Sequence, residues 1–110
     1  MNIKKIKQQI KENKILLYMK GSPNCPSCGF SAKAVEIISK YVENFSYIDV
    51  LINPDIRVEL PKLANWPTFP QLWINGNFIG GCDIIIEMYQ NGELKEIINN
   101  LRLNAVNNQP

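Results

Sequence analysis

The chain has 110 residues, of which 45% are hydrophobic, a formal net charge of +2 and no histidine. This length predicts one compact domain with a core large enough to fold alone, and the small charge argues against nucleic acid as a partner. No apolar stretch reaches the roughly 20 residues that span a bilayer, and the N-terminal residues lack the apolar region of a secretory signal. We therefore expect a cytoplasmic protein with no membrane partner, whose cysteines stay reduced.

The first two elements are predicted from the spacing of apolar residues. Ile3, Ile6 and Ile10 recur at helical intervals among several lysines, which predicts an amphipathic helix with a solvated basic face. Residues 14–20 form an apolar run that is too short for a core helix, so they predict a strand. The turn-forming residues 21–24 end it.

Two cysteines, Cys25 and Cys28, lie in the loop that follows this strand. Ala34, Ile37 and Ile38 then recur at helical spacing, so the loop leads into the N-terminus of a helix. Unpaired backbone N–H groups and the helix dipole stabilise a thiolate there, and the thiolate is the form that attacks disulfides or binds metal. A cysteine at this position should therefore ionise more readily than a free one.

A C-x-x-C motif is compatible with half a zinc site, a disulfide staple, inert packing or redox chemistry. A four-ligand zinc site needs two more cysteines or histidines, but only Cys82 remains. An odd number of cysteines fits a disulfide-stapled secreted protein poorly. Neighbouring glycine and proline residues keep the loop open, which disfavours inert packing. Redox or iron–sulfur chemistry is the favoured interpretation.

The rest of the chain continues to alternate strands and helices. In order, we expect a strand at 46–51, a helix at 54–63 with Asn53 as its N-cap, a hairpin of 71–74 and 77–79 around Asn75-Gly76, a helix at 83–90 and a last helix through Leu101. Residues 1–103 would form the domain, and 104–110 a frayed polar tail.

This order predicts an α/β fold. A helical crossover makes the first two strands parallel, and two antiparallel strands complete a four-stranded mixed sheet flanked by helices. A reactive C-x-x-C at the first strand-to-helix junction of such a unit is the thioredoxin-like redox signature.

Four segments carry a more specific resemblance. They are Lys20, Cys28-Gly29-Phe30-Ser31, Trp66-Pro67-Thr68-Phe69-Pro70 and Gly80-Gly81-Cys82-Asp83. In this order they resemble the monothiol glutaredoxins of the CGFS class, specifically the short single-domain bacterial form, over roughly positions 3 to 100.

The resemblance implies a thioredoxin-like fold that binds glutathione. It also implies a homodimer that holds a 2Fe-2S cluster through one cysteine and one glutathione thiol per subunit. Members take part in cluster transfer to recipient iron–sulfur apoproteins, pair with BolA-like proteins and have weak glutathione-dependent reductase activity. The ligand count agrees, because a chain without histidine that offers one well-placed thiolate cannot supply four cluster ligands alone.

By this resemblance, Cys28 is both the catalytic thiol and the cluster ligand. The implied glutathione contacts are Lys20 and Arg57 for the glycine carboxylate, the backbone of Phe69 for the cysteinyl part, and Cys82 with Asp83 for the γ-glutamyl end.

Each assignment has a structural alternative. Lys20 and Arg57 could be ordinary solvated charges, and Cys82 a small buried residue whose backbone alone binds the ligand. Trp66 lies beside two prolines and is expected to wall the pocket, whereas Trp73 is expected in the core or on the sheet. The resemblance makes Pro70 a cis-proline.

The chain departs from the family at Cys25, a position that is usually not cysteine. Cys25 creates the Cys-Pro-x-Cys pattern of dithiol glutaredoxins, but the interval from the apolar helix positions assigns the leading position to Cys28. The alternative function is therefore a glutathione-dependent thiol-disulfide oxidoreductase, in which Cys28 attacks and Cys25 or glutathione resolves. Ser31, which replaces a resolving cysteine, favours the cluster carrier.

Overall fold

The structure is a computed structural model that describes residues 3–107. Its helices are α1 (Ile3–Glu12), α2 (Gly29–Ser39), α3 (Pro54–Ala64), α4 (Cys82–Asn91) and α5 (Glu93–Asn107). Its strands are β1 (Ile15–Met19), β2 (Gly21–Ser22), β3 (Cys25–Pro26), β4 (Ser46–Asp49), β5 (Gln71–Ile74) and β6 (Asn77–Gly80).

A four-stranded sheet in the order β4-β1-β5-β6 forms the centre of the molecule. Strand β1 pairs parallel with β4, placing Leu17 opposite Tyr47, and antiparallel with β5, placing Leu17 opposite Leu72. Strands β5 and β6 form the hairpin expected at Asn75-Gly76, where both residues have positive φ as such a turn requires. The predicted mixed sheet of a thioredoxin-like fold is confirmed.

Strand β1 is buried on both faces, because side chains alternate across a strand. Leu17 and Met19 join the core cluster that includes residues of α2, α4 and α5, whereas Leu16 and Tyr18 join the cluster that includes residues of α1 and α3. This double coverage explains why β1 appears in the sequence as a continuous apolar run.

The structure differs from the sequence predictions in three places before residue 60. Strand β4 ends at Asp49, two positions before the predicted end at 51. Asn53 occupies the N-cap of α3 as predicted, but its side chain makes no capping bond, and its amide donates to the Asp49 carbonyl at 2.8 Å. Residues 21–26, predicted as an open loop, form the small antiparallel pair β2–β3.

The C-terminal helices are longer than predicted. Helix α4 begins at Cys82 rather than at Asp83. Helix α5 continues to Asn107, past the expected domain boundary at 103, so the first part of the predicted tail is helical. The rest of that tail, 108–110, lies outside the described residues. Over residues 3–107, none of the helices is both long and apolar enough to cross a bilayer.

Candidate active site at the N-terminus of helix α2

Cys28 is the N-cap residue of α2, with extended backbone angles of φ −152° and ψ 155°. Its Sγ accepts a hydrogen bond from the backbone N–H of Ser31 at 3.3 Å, and the Ser31 Oγ lies at 3.3 Å from the same sulfur. The thiol therefore takes the capping role that a serine or aspartate usually plays. The prediction that Cys28 lies at the helix N-terminus is confirmed.

Ser31 connects this thiol to the central strand of the sheet. Its side chain is fully buried, and its Oγ accepts a hydrogen bond from the backbone N–H of Lys20 at 3.1 Å. When Cys28 is a thiolate, the Ser31 hydroxyl can donate to sulfur while its oxygen accepts from Lys20. One hydroxyl thus satisfies the N–H that follows β1 and stabilises the thiolate.

The environment of Cys28 favours its ionised form. Partial burial by itself would raise the pKa of the Cys28 thiol. Hydrogen bonds from Ser31 and from the backbone of Phe30, together with the charge of Lys20, outweigh burial and hold this pKa below its ordinary value. Cys28 is therefore suited to act as a nucleophile or as a metal ligand.

Cys25 has a different setting. It is exposed and lies in β3, where its backbone pairs with Ser22. Behind it, the Ser27 N–H donates to the Lys20 carbonyl at 2.9 Å, which holds the chain between the two cysteines against the end of β1. Cys25 caps no helix, so the structure distinguishes the two thiols as the apolar spacing predicts.

A pocket of about 560 Å³ lies next to Phe30 in this region. All five residues predicted to contact glutathione line it: Lys20, Arg57, Phe69, Cys82 and Asp83. They come from four separate parts of the chain, which the fold brings together. Cys28 is not among the lining residues, but its neighbour Phe30 is, with a side chain that is 65% exposed.

The cationic side of the pocket is formed by Lys20 and Arg57. Lys20 follows β1, and Arg57 lies on α3 with an exposed side chain. Among the side chains described, 3–102, neither forms an ion pair with a carboxylate. Both charges are therefore available to an anionic ligand group.

A second wall of the pocket comes from residues 66–70. The Phe69–Pro70 peptide bond is cis, which confirms the expectation for Pro70. Within the described chain, the Phe69 backbone N–H and carbonyl have no backbone hydrogen-bond partner, so both can pair with an extended ligand. Trp66 lines the pocket as predicted, and Trp73 is buried in the core.

The third part of the pocket is the start of α4. Burial is the main cause that raises the pKa of the Cys82 thiol, and the charges of Asp83 and Cys28 add to it. Cys82 is buried, as the structural alternative expects, and its environment disfavours the thiolate. Asp83 is exposed in the first helical turn, beside backbone N–H groups that are free to bind an anion.

Sequence reasoning missed two supporting residues. The sequence places Ser31 in the Cys28-Gly29-Phe30-Ser31 segment and in the position of a resolving cysteine, and Gln71 in a strand, but it predicts a supporting hydrogen bond for neither. Both are fully buried polar side chains. Their signal in the sequence is a hydrogen-bonding residue on an otherwise apolar face, which has to find a partner.

The metal-binding capacity of one chain is small. Across the part of the chain that the structure describes, no group of three or more cysteine, aspartate or glutamate side chains could hold a metal ion, and histidine is absent from the sequence. Cys28 nevertheless fits the requirement for a single thiolate ligand, because it is partly exposed and its pKa is lowered.

Comparison with known proteins identifies close relatives. Residues 15–79 match the family model for glutaredoxin. The chain is 67% identical over 96 residues to Glutaredoxin 4 of Escherichia coli (strain K12), covering 87% of this chain and 84% of that protein. It is 64% identical over 103 residues to Glutaredoxin 4 of Buchnera aphidicola subsp. Schizaphis graminum, covering 94% and 96%.

Solved structures agree with these matches. Reduced poplar apo GrxS14 is 39% identical, with a TM-score of 0.76 and coverage of 88% of this chain and 89% of that chain. A buckwheat glutaredoxin in complex with glutathione has a TM-score of 0.77, covers 88% and 86%, and is 21% identical, so that likeness concerns the fold. The chain therefore belongs to the glutaredoxin family and is of the monothiol type, in its short single-domain bacterial form.

Proposed function

We propose that this monothiol glutaredoxin binds glutathione in the pocket and, as a homodimer, carries a 2Fe-2S cluster for transfer to other proteins. The observation that carries the proposal is Cys28, a partly exposed thiol with a lowered pKa at a helix N-terminus, beside a pocket with free cationic and N–H groups. When bound, the cluster is a cargo of two irons and two sulfides that needs four outer ligands. Two Cys28 thiolates and two glutathione thiols make that number.

The composition of the pocket supports glutathione as the second ligand source. Glutathione is an extended tripeptide with two carboxylates and one ammonium group. Lys20 and Arg57 offer cations for one carboxylate, and the start of α4 offers N–H groups and the Asp83 carboxylate for the γ-glutamyl end. The unpaired backbone of Phe69 can bind the peptide between them.

The partners follow from the same proposal. The cluster would join two copies of the chain, with a BolA-like protein as an alternative partner and iron–sulfur apoproteins as recipients. We place this activity in the cytoplasm, because the three cysteines are free and a thiolate ligand has to stay reduced.

A second candidate function is supported by the lowered pKa of Cys28 and by the exposed thiol of Cys25. In this activity the Cys28 thiolate attacks the glutathionyl sulfur of a mixed disulfide, releasing the substrate thiolate and leaving glutathione on Cys28. The thiolate of a second glutathione, or of Cys25, then attacks the glutathionylated Cys28. This step releases oxidised glutathione in the first case and reduced glutathione in the second.

Anaerobic reconstitution with iron, sulfide and glutathione tests the first function through visible absorption and the mass of the complex. We expect a coloured dimer with wild-type protein, none with Cys28→Ser, and none when glutathione is omitted. Cys25→Ser is the matched control, since it removes a neighbouring thiol and should keep the cluster. Full cluster uptake by Cys28→Ser, or equal yield without glutathione, would contradict the proposal.

A further inference from the structure

Gln71 is the first residue of β5 and has a fully buried side chain. Its Nε2 donates to the carbonyl of Trp66 at 3.1 Å and to the carbonyl of Thr68 at 3.4 Å. Its Oε1 accepts from the indole Nε1 of Trp73 at 3.3 Å. Both the nitrogen and the oxygen of this amide therefore form hydrogen bonds within the protein.

These contacts connect the rigid sheet to the irregular segment 66–70. The backbone of Gln71 is fixed by pairing with Tyr18 in the central strand β1. The segment it binds has no helix or strand of its own, yet Trp66, Thr68 and Phe69 line the pocket. Apart from the Trp66 N–H, which donates to the Pro61 carbonyl, no backbone-to-backbone hydrogen bond holds this described segment, so the Gln71 side chain is its main further anchor.

We propose that Gln71 is a positioning residue for the ligand pocket: its side-chain amide binds the Trp66 and Thr68 carbonyls and so presents the free backbone of Phe69 to the ligand. This inference rests on the proposed binding of glutathione. The two carbonyls already accept hydrogen bonds from Gln71 within the protein. The Phe69 groups then remain for a peptide-like ligand.

Loss of the amide should act on binding more than on the chemistry of Cys28. An apolar side chain of similar length would leave the Trp66 and Thr68 carbonyls and the Trp73 indole N–H without this partner, and the segment would relax to satisfy them. In wild type, Gln71 orders segment 66–70 before the ligand binds. In the variant, part of the binding free energy would be spent on ordering this segment, so the affinity for glutathione would fall.

Gln71→Met tests the inference against Tyr18→Phe as matched control. Tyr18 lies opposite Gln71 in the sheet and is equally buried. The Tyr18→Phe variant loses the 2.9 Å hydrogen bond from the hydroxyl to Gln9, and neither Tyr18 nor Gln9 lines the pocket. Both variants should be less stable than wild type. We expect Gln71→Met to weaken glutathione binding by about tenfold or more, and Tyr18→Phe to leave it within about twofold, in calorimetric titrations.

A second readout needs no ligand. Amide resonances of Thr68 and Phe69 should shift, and their hydrogen exchange should accelerate, in Gln71→Met but not in Tyr18→Phe.

If wild type fails to bind glutathione, the proposed function is wrong, and the amide resonances of Thr68 and Phe69 still decide whether Gln71 positions the segment. Should Gln71→Met not fold, Gln71→Asn, whose amide is one methylene too short to reach both carbonyls, replaces it. Wild-type affinity together with unchanged Thr68 and Phe69 signals in the folded variant would overturn the inference.

Discussion

The backbone N–H of Lys20 donates to the Oγ of Ser31 at 3.1 Å, although eleven positions separate the two residues in sequence. This bond joins the end of β1 to the first turn of α2, and the same hydroxyl lies beside the Cys28 sulfur. The Ser31 Oγ therefore contacts both the end of β1 and the reactive thiol. Removing this hydroxyl should change the acidity of Cys28.

Ser31→Ala should raise the pKa of Cys28, because hydrogen bonds from Ser31 are among the causes that lower it. The rate of alkylation by iodoacetamide follows the thiolate fraction, so its pH profile should move to higher pH and the rate at neutral pH should fall. Ser27→Ala, at an exposed position next to Cys28, should leave the profile unchanged. An unshifted profile in Ser31→Ala would show that the hydroxyl does not stabilise the thiolate.

Cys25→Ser should leave cluster assembly nearly unchanged and affect only slower oxidation in which a Cys25–Cys28 disulfide forms. The reason is that Cys25 lies in β3 and caps no helix, whereas Cys28 has the hydrogen bonds of Ser31. Mass-resolved alkylation of wild type and both single variants measures the order of reactivity. Faster labelling of Cys25, or loss of the cluster in Cys25→Ser, would favour the dithiol oxidoreductase.

Gly81→Ala should damage the pocket without touching a charged residue. A Cβ at Gly81 would lie 2.9 Å from the Trp66 Nε1 and 3.3 Å from the Pro70 carbonyl oxygen, so the indole has to move. We expect a loss of roughly 1–3 kcal/mol in the free energy of unfolding, measured in urea, and weaker glutathione binding.

Gly29→Ala is the control for this substitution. Gly29 begins α2, and apart from its chain neighbours and the backbone of its own helix no described atom lies within 4 Å of an added Cβ. Its free energy of unfolding should equal or exceed that of wild type, by up to about 1 kcal/mol, since alanine favours the helix. Equal stability of the Gly81 and Gly29 variants would mean that the Trp66 side chain gives way at no cost.

Arg57→Gln should weaken glutathione binding and reduce its dependence on salt, because an unpaired cation at the pocket is removed. Lys62→Gln is the matched control on the same helix, where Lys62 lies 3.8 Å from Glu59 and outside the pocket lining. Titrations at two salt concentrations measure the effect. Equal affinity of both variants would assign Arg57 to the solvated surface, the alternative that its sequence position alone favours.

Local chemistry explains what the sequence could predict. Periodicity located the helices and the central strands, and Asn75-Gly76 identified the hairpin, since only residues that tolerate positive φ fit such a turn. The spacing of apolar residues also predicted that Cys28, and not Cys25, lies at the helix N-terminus. These features depend on neighbours within a few positions, so one sequence contains enough information.

The missed features depend on contacts between distant segments. The β2–β3 pair is stabilised where Gly21 donates to the Asp49 carboxylate at 3.0 Å, across twenty-eight positions. Gln71 and Ser31 acquire their roles only when β1, β5 and the pocket segment meet. A pattern within a window of residues does not report such tertiary hydrogen bonds.

The pocket is assembled from the end of β1, from α3, from residues 66–70 and from the start of α4. Each of these segments supplies only some of the residues that line the pocket, so the unfolded chain has no equivalent site. Ligand binding is then thermodynamically linked to global folding. Saturating glutathione, at about 100 times its dissociation constant, should raise the free energy of unfolding by about 2.7 kcal/mol. If glutathione binds as proposed, the melting temperature of the cluster-free protein would thus report the concentration of free glutathione in the sample.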